Sequence, residues 1–167
     1  GEADTEAGFL KCRETLLAAR GKRVRPQRDD KVLADWNGMM IAALAKAGAV
    51  FDEPAWVDSA EAGLRFVTAN MVSDDKSGGR LKHSWCLGRL SHPAIVDDYA
   101  NMARAALMLL GVTGNGDYLS QAEAWVHTAN GHYWDNENHG YFLAADDTGD
   151  VIARSKTVFD SAVPSGN

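Results

Sequence analysis

Two cysteines and four prolines are all that 167 residues contain of either type. Cys12 and Cys86 stand far apart, in neither a CxxC nor a zinc spacing, so a disulfide framework is excluded. Two lone thiols fit a reducing compartment, and a cytoplasmic protein is expected. An excess of basic charge is missing too: 17 Lys and Arg stand against 23 Asp and Glu, a formal net charge of −6. A nucleic-acid partner needs a basic stripe, so none is expected. The one basic cluster (Arg20, Lys22, Arg23, Arg25, Arg28) runs straight into Asp29 and Asp30 and reads as a solvated or internally paired turn. No apolar run is long enough to span a membrane, and residues 1–8 lack the apolar core of a signal peptide. A GxSxG elbow, a Walker loop and a dinucleotide fingerprint are all absent.

What is present is helix. Residues 4–20 read as amphipathic, with Phe9, Leu10, Leu16 and Leu17 on one side. Residues 36–51 are almost wholly apolar: between Asn37 and Gly48 only Lys46 is polar, which predicts a helix buried on all sides, with Asp35 as N-cap. Residues 55–72 are amphipathic, with Val57, Ala60, Leu64, Val67 and Met71 at spacings of three and four. Residues 73–80 are a loop by composition, and 81–91 form a short hairpin or an irregular turn. A second nearly all-apolar helix starts near Asp97, with only Asn101 and Arg104 polar between Tyr99 and Val112. Residues 117–131 are amphipathic again. Tyr141-Phe142-Leu143 and Val151-Ile152-Ala153, around an Asp-Asp-Thr-Gly-Asp turn, predict a hairpin.

These elements repeat. Asp35-Trp36 and Asp98-Tyr99 open the two buried helices, 63 residues apart, and Met39 then falls on Met102, Leu44 on Leu107 and Gly48 on Gly111. A further step, of 62 from Asp98, lands on Asp160. Each unit is one buried and one half-buried helix, which describes two concentric layers rather than a bundle of similar helices. The fold class expected is all-α: a fragment of an α/α toroid of helical hairpins, with short β-hairpins at one rim. Residues 1–167 are expected to form one partial domain, with units at about 35–97 and 98–159 and a third cut off at 160–167. Inner helices without all their neighbours expose apolar faces, so self-association is expected.

Three groups of residues carry a resemblance. The first is Arg25-Pro26, Asp29-Asp30-Lys31 and Trp36-Asn37-Gly38 with the Ala-rich stretch to Gly48. The second is His83-Ser84-Trp85, His92-Pro93 and Asp97-Asp98-Tyr99-Ala100. The third is Gly140-Tyr141-Phe142, Arg154-Ser155-Lys156, Asp160 and Pro164-Ser165-Gly166-Asn167. In this order and spacing they resemble the toroid part of the thioredoxin-linked spermatogenesis-associated protein 20 family. The resemblance implies an upstream thioredoxin-like domain as partner. It also implies a fold similar to N-acylglucosamine 2-epimerase and the six-hairpin glycosidases. One departure is that Cys86-Leu87 follow the tryptophan where the family often carries a charged pair.

The candidate chemistry lies at the inner-helix ends. Asp97 and Asp98 offer two carboxylates for acid and base roles on a sugar; the structural alternative is one N-cap and one ion pair. His83 offers a proton shuttle, against a solvated loop histidine. Trp36 and Tyr99 offer flat faces for a sugar ring, against core packing. Asn37 offers a donor and an acceptor. Arg154 offers a charge for an anionic group, and Ser165 and Asn167 are candidate lining groups. His127, His132 and His139 have no supporting carboxylate or cysteine spacing, so neither metal nor cofactor is expected. Two function classes stay open: a sugar epimerase, isomerase or glycosidase, and a non-catalytic toroid that binds a ligand or protein.

Overall fold

The computed structural model describes residues 2–73 and 79–167; the loop expected at 73–80 falls largely outside them. The chain divides into two compact units, Gly1–Asp30 and Lys31–Asn167. The first unit is helix α1, Glu2–Gly21, and an extended stretch in which the Arg28 guanidinium pairs with Asp30.

The second unit begins with strand β1, Val32–Leu33, which runs directly into helix α2, Ala34–Phe51. Helix α3 spans Pro54–Asn70, strands β2 and β3 span Lys82–Cys86 and Arg89–Pro93, and helices α4 and α5 span Val96–Thr113 and Asp117–His132. Helices α2 and α4 are each 18 residues long and start 62 residues apart (96 − 34), while α3 and α5 start 63 apart (117 − 54). The helix starts thus recur at close to the sequence offset. Among the described residues, no helix is long and apolar enough to cross a membrane.

Local chemistry sets the boundaries. Helix α2 ends at Asp52, whose φ of 54° is left-handed and whose N–H bonds the Gly48 carbonyl. Pro54 then opens α3, where its missing N–H costs nothing. Helix α4 ends at Gly114, at φ 72°, its N–H on the Leu110 carbonyl. Leu33, not Asp35, is the N-cap of α2 and offers no side-chain cap. It is extended because β1 pairs with β2, so the helix starts straight from a strand.

Helix α2 packs against α3 and α4, and α4 against α2 and α5. The approach of α2 to α4 is set by Gly38: a Cβ there would lie 2.7 Å from the carbonyl carbon and 2.8 Å from the oxygen of Asn101. Only glycine lets two backbones come so close. Ile41, Ala45, Met102, Ala105 and Ala106 are buried in the core to which both helices contribute, with Ile41 against Gly63 of α3. The burial expected all round α2 is not met. Trp36, Met40, Val50 and Phe51 are exposed: among the described residues the helices that α2 packs on are α3 and α4 only, whereas α4 meets α2, α5 and, more lightly, α3.

Strands β1, β2 and β3 form an antiparallel sheet in that order. Residues 81–91 therefore adopt the hairpin alternative. Its two-residue turn, Leu87-Gly88, has positive φ at both positions (49° and 81°), the handedness that matches strand twist. The hairpin expected at 141–153 does not form. Trp134 and Tyr141 make an isolated bridge, and Leu143 N–H reaches the Ser155 carbonyl instead. The reason lies at Tyr141, whose backbone N–H and carbonyl are both taken by the Asn167 side chain.

Candidate active site

The strand-to-helix junction at residue 33 and the pairing of β1 with β2 bring His83 beside the first turns of both inner helices. Asp98 is the centre of the arrangement. As residue N3 of α4 it turns back to accept the Ile95 N–H through Oδ2 at 2.8 Å, the returning half of a capping box. Its Oδ1 accepts the Asp35 N–H at 2.9 Å. The His83 Nδ1 lies 3.0 Å from each of its oxygens. Asp98 is fully buried at 0% exposure, and these donors offset the cost of taking a carboxylate out of water.

Two more carboxylates flank the imidazole. Asp35 is buried; its Oδ1 accepts the Trp36 N–H at 2.7 Å. Burial first, and the Asp98 charge second, push its carboxyl above the usual range. Asp97 is half-buried and accepts the Gly166 N–H at 2.7 Å. Burial raises it as well, against the lowering effect of that hydrogen bond.

His83 is held in its charged form more readily than a free histidine. The hydrogen bond to Asp98 is the main cause, opposed by partial burial and helped by the charges of Asp98, Asp35 and Asp97. Because Asp98 faces Nδ1 only as an acceptor, the hydrogen-bond network assigns a proton to Nδ1. Nε2 has no hydrogen-bond partner among the described residues, and the side chain is 26% exposed. A buried carboxylate that fixes an imidazole by one nitrogen and leaves the other for solvent is an arrangement for moving protons.

The other candidates separate into those at this mouth and those elsewhere. Trp36, next to Asp35, is 58% exposed, with its indole free to meet a ligand. The Asn37 amide donates to the Leu33 carbonyl at 2.7 Å and closes the strand–helix junction. Tyr99 does not line the mouth. It is 2% exposed, its ring 5.5 Å from that of Tyr133, because one residue beyond Asp98 is about 100° further round the helix. Arg154 is committed to the carboxyl-terminal loops: Nε and Nη2 donate to the carbonyls of Ala144 and His132, and the guanidinium lies over Phe142. Ser165 Oγ donates to the Thr157 carbonyl at 2.6 Å, and the Asn167 amide nitrogen bonds Tyr141 and Thr157. The Pro-Ser-Gly-Asn segment reaches the mouth through the Gly166 backbone rather than through those two side chains.

Asp35 is the member that sequence reasoning gave only a capping role. The signal was its place 63 residues before Asp98. Asp35, His83 and Asp98 present donor atoms within 4.8 Å of one another, as do His132, Asp146 and Asp147. In the first set the Asp98 oxygens already accept from His83 and two backbone N–H groups. In the second, Arg80 Nη2 donates to Asp147 at 2.7 Å. A cation at either place would have to displace those donors.

Fold and comparisons agree on the class. The chain has the architecture of part of an α/α toroid. A cellobiose 2-epimerase from Spirochaeta thermophila DSM 6192 superposes with a TM-score of 0.60 at 16% identity, over 71% of this chain and 30% of that one. A family 76 glycoside hydrolase from a bovine Bacteroides thetaiotaomicron strain gives 0.59 at 18%, over 71% and 25%. By sequence, the chain is similar to spermatogenesis-associated protein 20 of Rattus norvegicus, 32% identical over 163 residues, 92% of this chain and 20% of the relative. The resemblance carried by the three groups of residues thus extends over most of the chain, which spans about a fifth of the length of the curated relatives it matches. No protein-family model matches the chain.

Proposed function

We propose that this chain supplies the proton-transfer group of a carbohydrate-active toroid, and that the reaction is of the epimerase or isomerase type. The observation that carries the reading is the buried Asp98 carboxylate held on His83 Nδ1 at 3.0 Å, with Nε2 left free. His83 takes or returns the proton at a carbon next to a sugar carbonyl. Asp98 positions the imidazole and steadies its charged form, and the Trp36 indole offers a face to the ring. Hydrolysis is less well supported. A glycosidase uses two carboxyl groups on opposite sides of the scissile bond. Here Asp98 is tied to two backbone N–H groups and an imidazole, and Asp97 to Gly166. The structural neighbours, at 16% and 18% identity, support the fold and not the reaction.

The test is a panel of reducing mono- and disaccharides offered to the full-length protein, with products resolved by NMR. A new epimer or ketose of unchanged mass, lost in His83→Gln, supports the reading. Glycosidic cleavage or an unchanged panel removes it. In the latter case the non-catalytic alternative, a ligand-binding toroid partnering a thioredoxin-like domain, takes its place.

A further inference from the structure

Asp35 is 6% exposed, and its carboxyl is only half used. Oδ1 accepts the Trp36 N–H at 2.7 Å, while Oδ2 has no hydrogen-bond partner among the described residues. The buried side-chain atoms there that are both unpartnered and sealed from water are Arg80 Nη1 and the Tyr99 hydroxyl. Asp35 Oδ2 is not one of them, so it touches solvent. The same reasoning puts His83 Nε2 in contact with solvent. A mostly buried carboxyl with one oxygen unpaired is costly to ionise.

Nor does the fold need that side chain as an acid. The brace between the repeats uses the Asp35 backbone N–H, not its carboxyl. Yet an Asp35 oxygen, a His83 ring nitrogen and an Asp98 oxygen lie within 4.8 Å of one another. Asp98 is already filled by two backbone N–H groups and the imidazole. Asp97 is outside that cluster and holds the Gly166 N–H.

We infer that Asp35 is the second catalytic residue of the proton transfer proposed above for His83, giving a proton to the carbonyl oxygen of an open-chain aldose while His83 takes one from the neighbouring carbon. The inference rests on that reading. The electrons of the broken C–H bond form the carbon–carbon double bond. The carbonyl π electrons move to oxygen, which takes the Asp35 proton. The result is an enediol, an imidazolium steadied by Asp98, and an Asp35 carboxylate. In the return, His83 protonates the former carbonyl carbon, and Asp35 takes the proton of the hydroxyl on its neighbour. A ketose leaves, and both groups regain their starting states. The protonation states suit these roles. Burial first, and the Asp98 charge second, push the Asp35 carboxyl up. The His83 charge, which lowers it, is absent when the imidazole is neutral and able to act as base.

The experiment follows deuterium incorporation beside the carbonyl of each reducing sugar, catalysed by the full-length protein, as a function of pH. The wild-type profile should be bell-shaped, because His83 must be neutral and Asp35 protonated at once. Asp35→Asn keeps an oxygen for the Trp36 N–H and removes the transferable proton. Exchange should fall about 100-fold, in kcat rather than KM, and the alkaline limb should vanish, since the imidazole alone still titrates. The variant should melt no lower than the wild type, because an amide beside Asp98 replaces a carboxyl that is costly to ionise there. Exchange within tenfold of the wild type, a preserved alkaline limb or a lower melting temperature would overturn the role of Asp35 and leave that of His83 standing. A wild-type protein that exchanges no sugar would remove both.

Discussion

The backbone N–H of Asp35 donates to the Asp98 carboxylate at 2.9 Å across 63 residues, the repeat offset itself. One side chain therefore braces the start of its own inner helix, through Ile95, and the start of the preceding one. Its neighbour Asp97 does the same toward the following segment, through Gly166. The Asp-Asp pair is a clamp between successive repeats, and His83 is attached to that clamp.

Replacing Asp98 by Asn should be among the most damaging isosteric changes in the chain. The amide nitrogen must face one of three donors, two of them backbone N–H groups, and a buried interaction turns repulsive. We expect a loss of roughly 3 kcal/mol, measured by urea unfolding. Asp97→Asn, which touches one backbone N–H at a half-buried position, should cost about 1 kcal/mol or less.

Glycines at equivalent repeat positions should respond oppositely. A Cβ on Gly48 would lie 2.7 Å from Val57 Cγ2, whereas one on Gly111 would meet nothing within 4 Å. Gly111→Ala should stabilise by about 0.5–1 kcal/mol through helix propensity. Gly38→Ala should destabilise by about 2 kcal/mol or more, since it strikes the Asn101 backbone rather than a side chain that can yield. Thermal melts of Gly38→Ala and Gly111→Ala check the ordering.

The helix layers were legible in the sequence because burial imposes a period. A helix packed on two sides loses its polar stripe, and one packed on a single side keeps it. Repetition at 63 then pointed to Asp35 and Asp98 as equivalents. What periodicity could not carry was hydrogen bonding between segments far apart in sequence. Tyr99 belongs with Tyr133 because of the angle one residue adds round a helix. Asn167 prevents the 141–153 hairpin by holding the Tyr141 backbone from 26 residues away.

The contribution of the His83 cluster to stability should fall as pH rises, opposite in sign to that of Asp135 and Asp147, whose carboxyls are held low by Lys156 and Arg80. The folded-state pKa of His83 is raised above 6.5. The contribution of its charged form is thus complete below that value and lost as pH climbs through the folded pKa. Asp35 and Asp97 are also raised, from 3.8. They act with the same sign at lower pH, stabilising while protonated and losing that as they ionise. Unfolding curves of His83→Gln between pH 4 and 9 should keep the lower part of this slope and lose the part above 6.5.

The exposed stripe of α2 formed by Met40 and Val50 should join two copies of the chain. Met40 and Val50 are exposed, away from the Gly38 face that meets α4, and the same stripe of a second copy would take them out of water. Light scattering of the 167-residue chain is expected to show a concentration-dependent dimer that Met40→Glu abolishes. A monomer at all concentrations would contradict this.

The most direct measurement is solvent exchange. The full-length protein is incubated in deuterated water with each sugar of the panel, and deuterium at the carbon beside the carbonyl is read by NMR. Proton transfer by His83 predicts incorporation into at least one sugar, abolished by His83→Gln and strongly reduced by Asp98→Asn in whatever fraction remains folded. Incorporation that persists undiminished in His83→Gln, or none into any sugar with the wild-type protein, would contradict it.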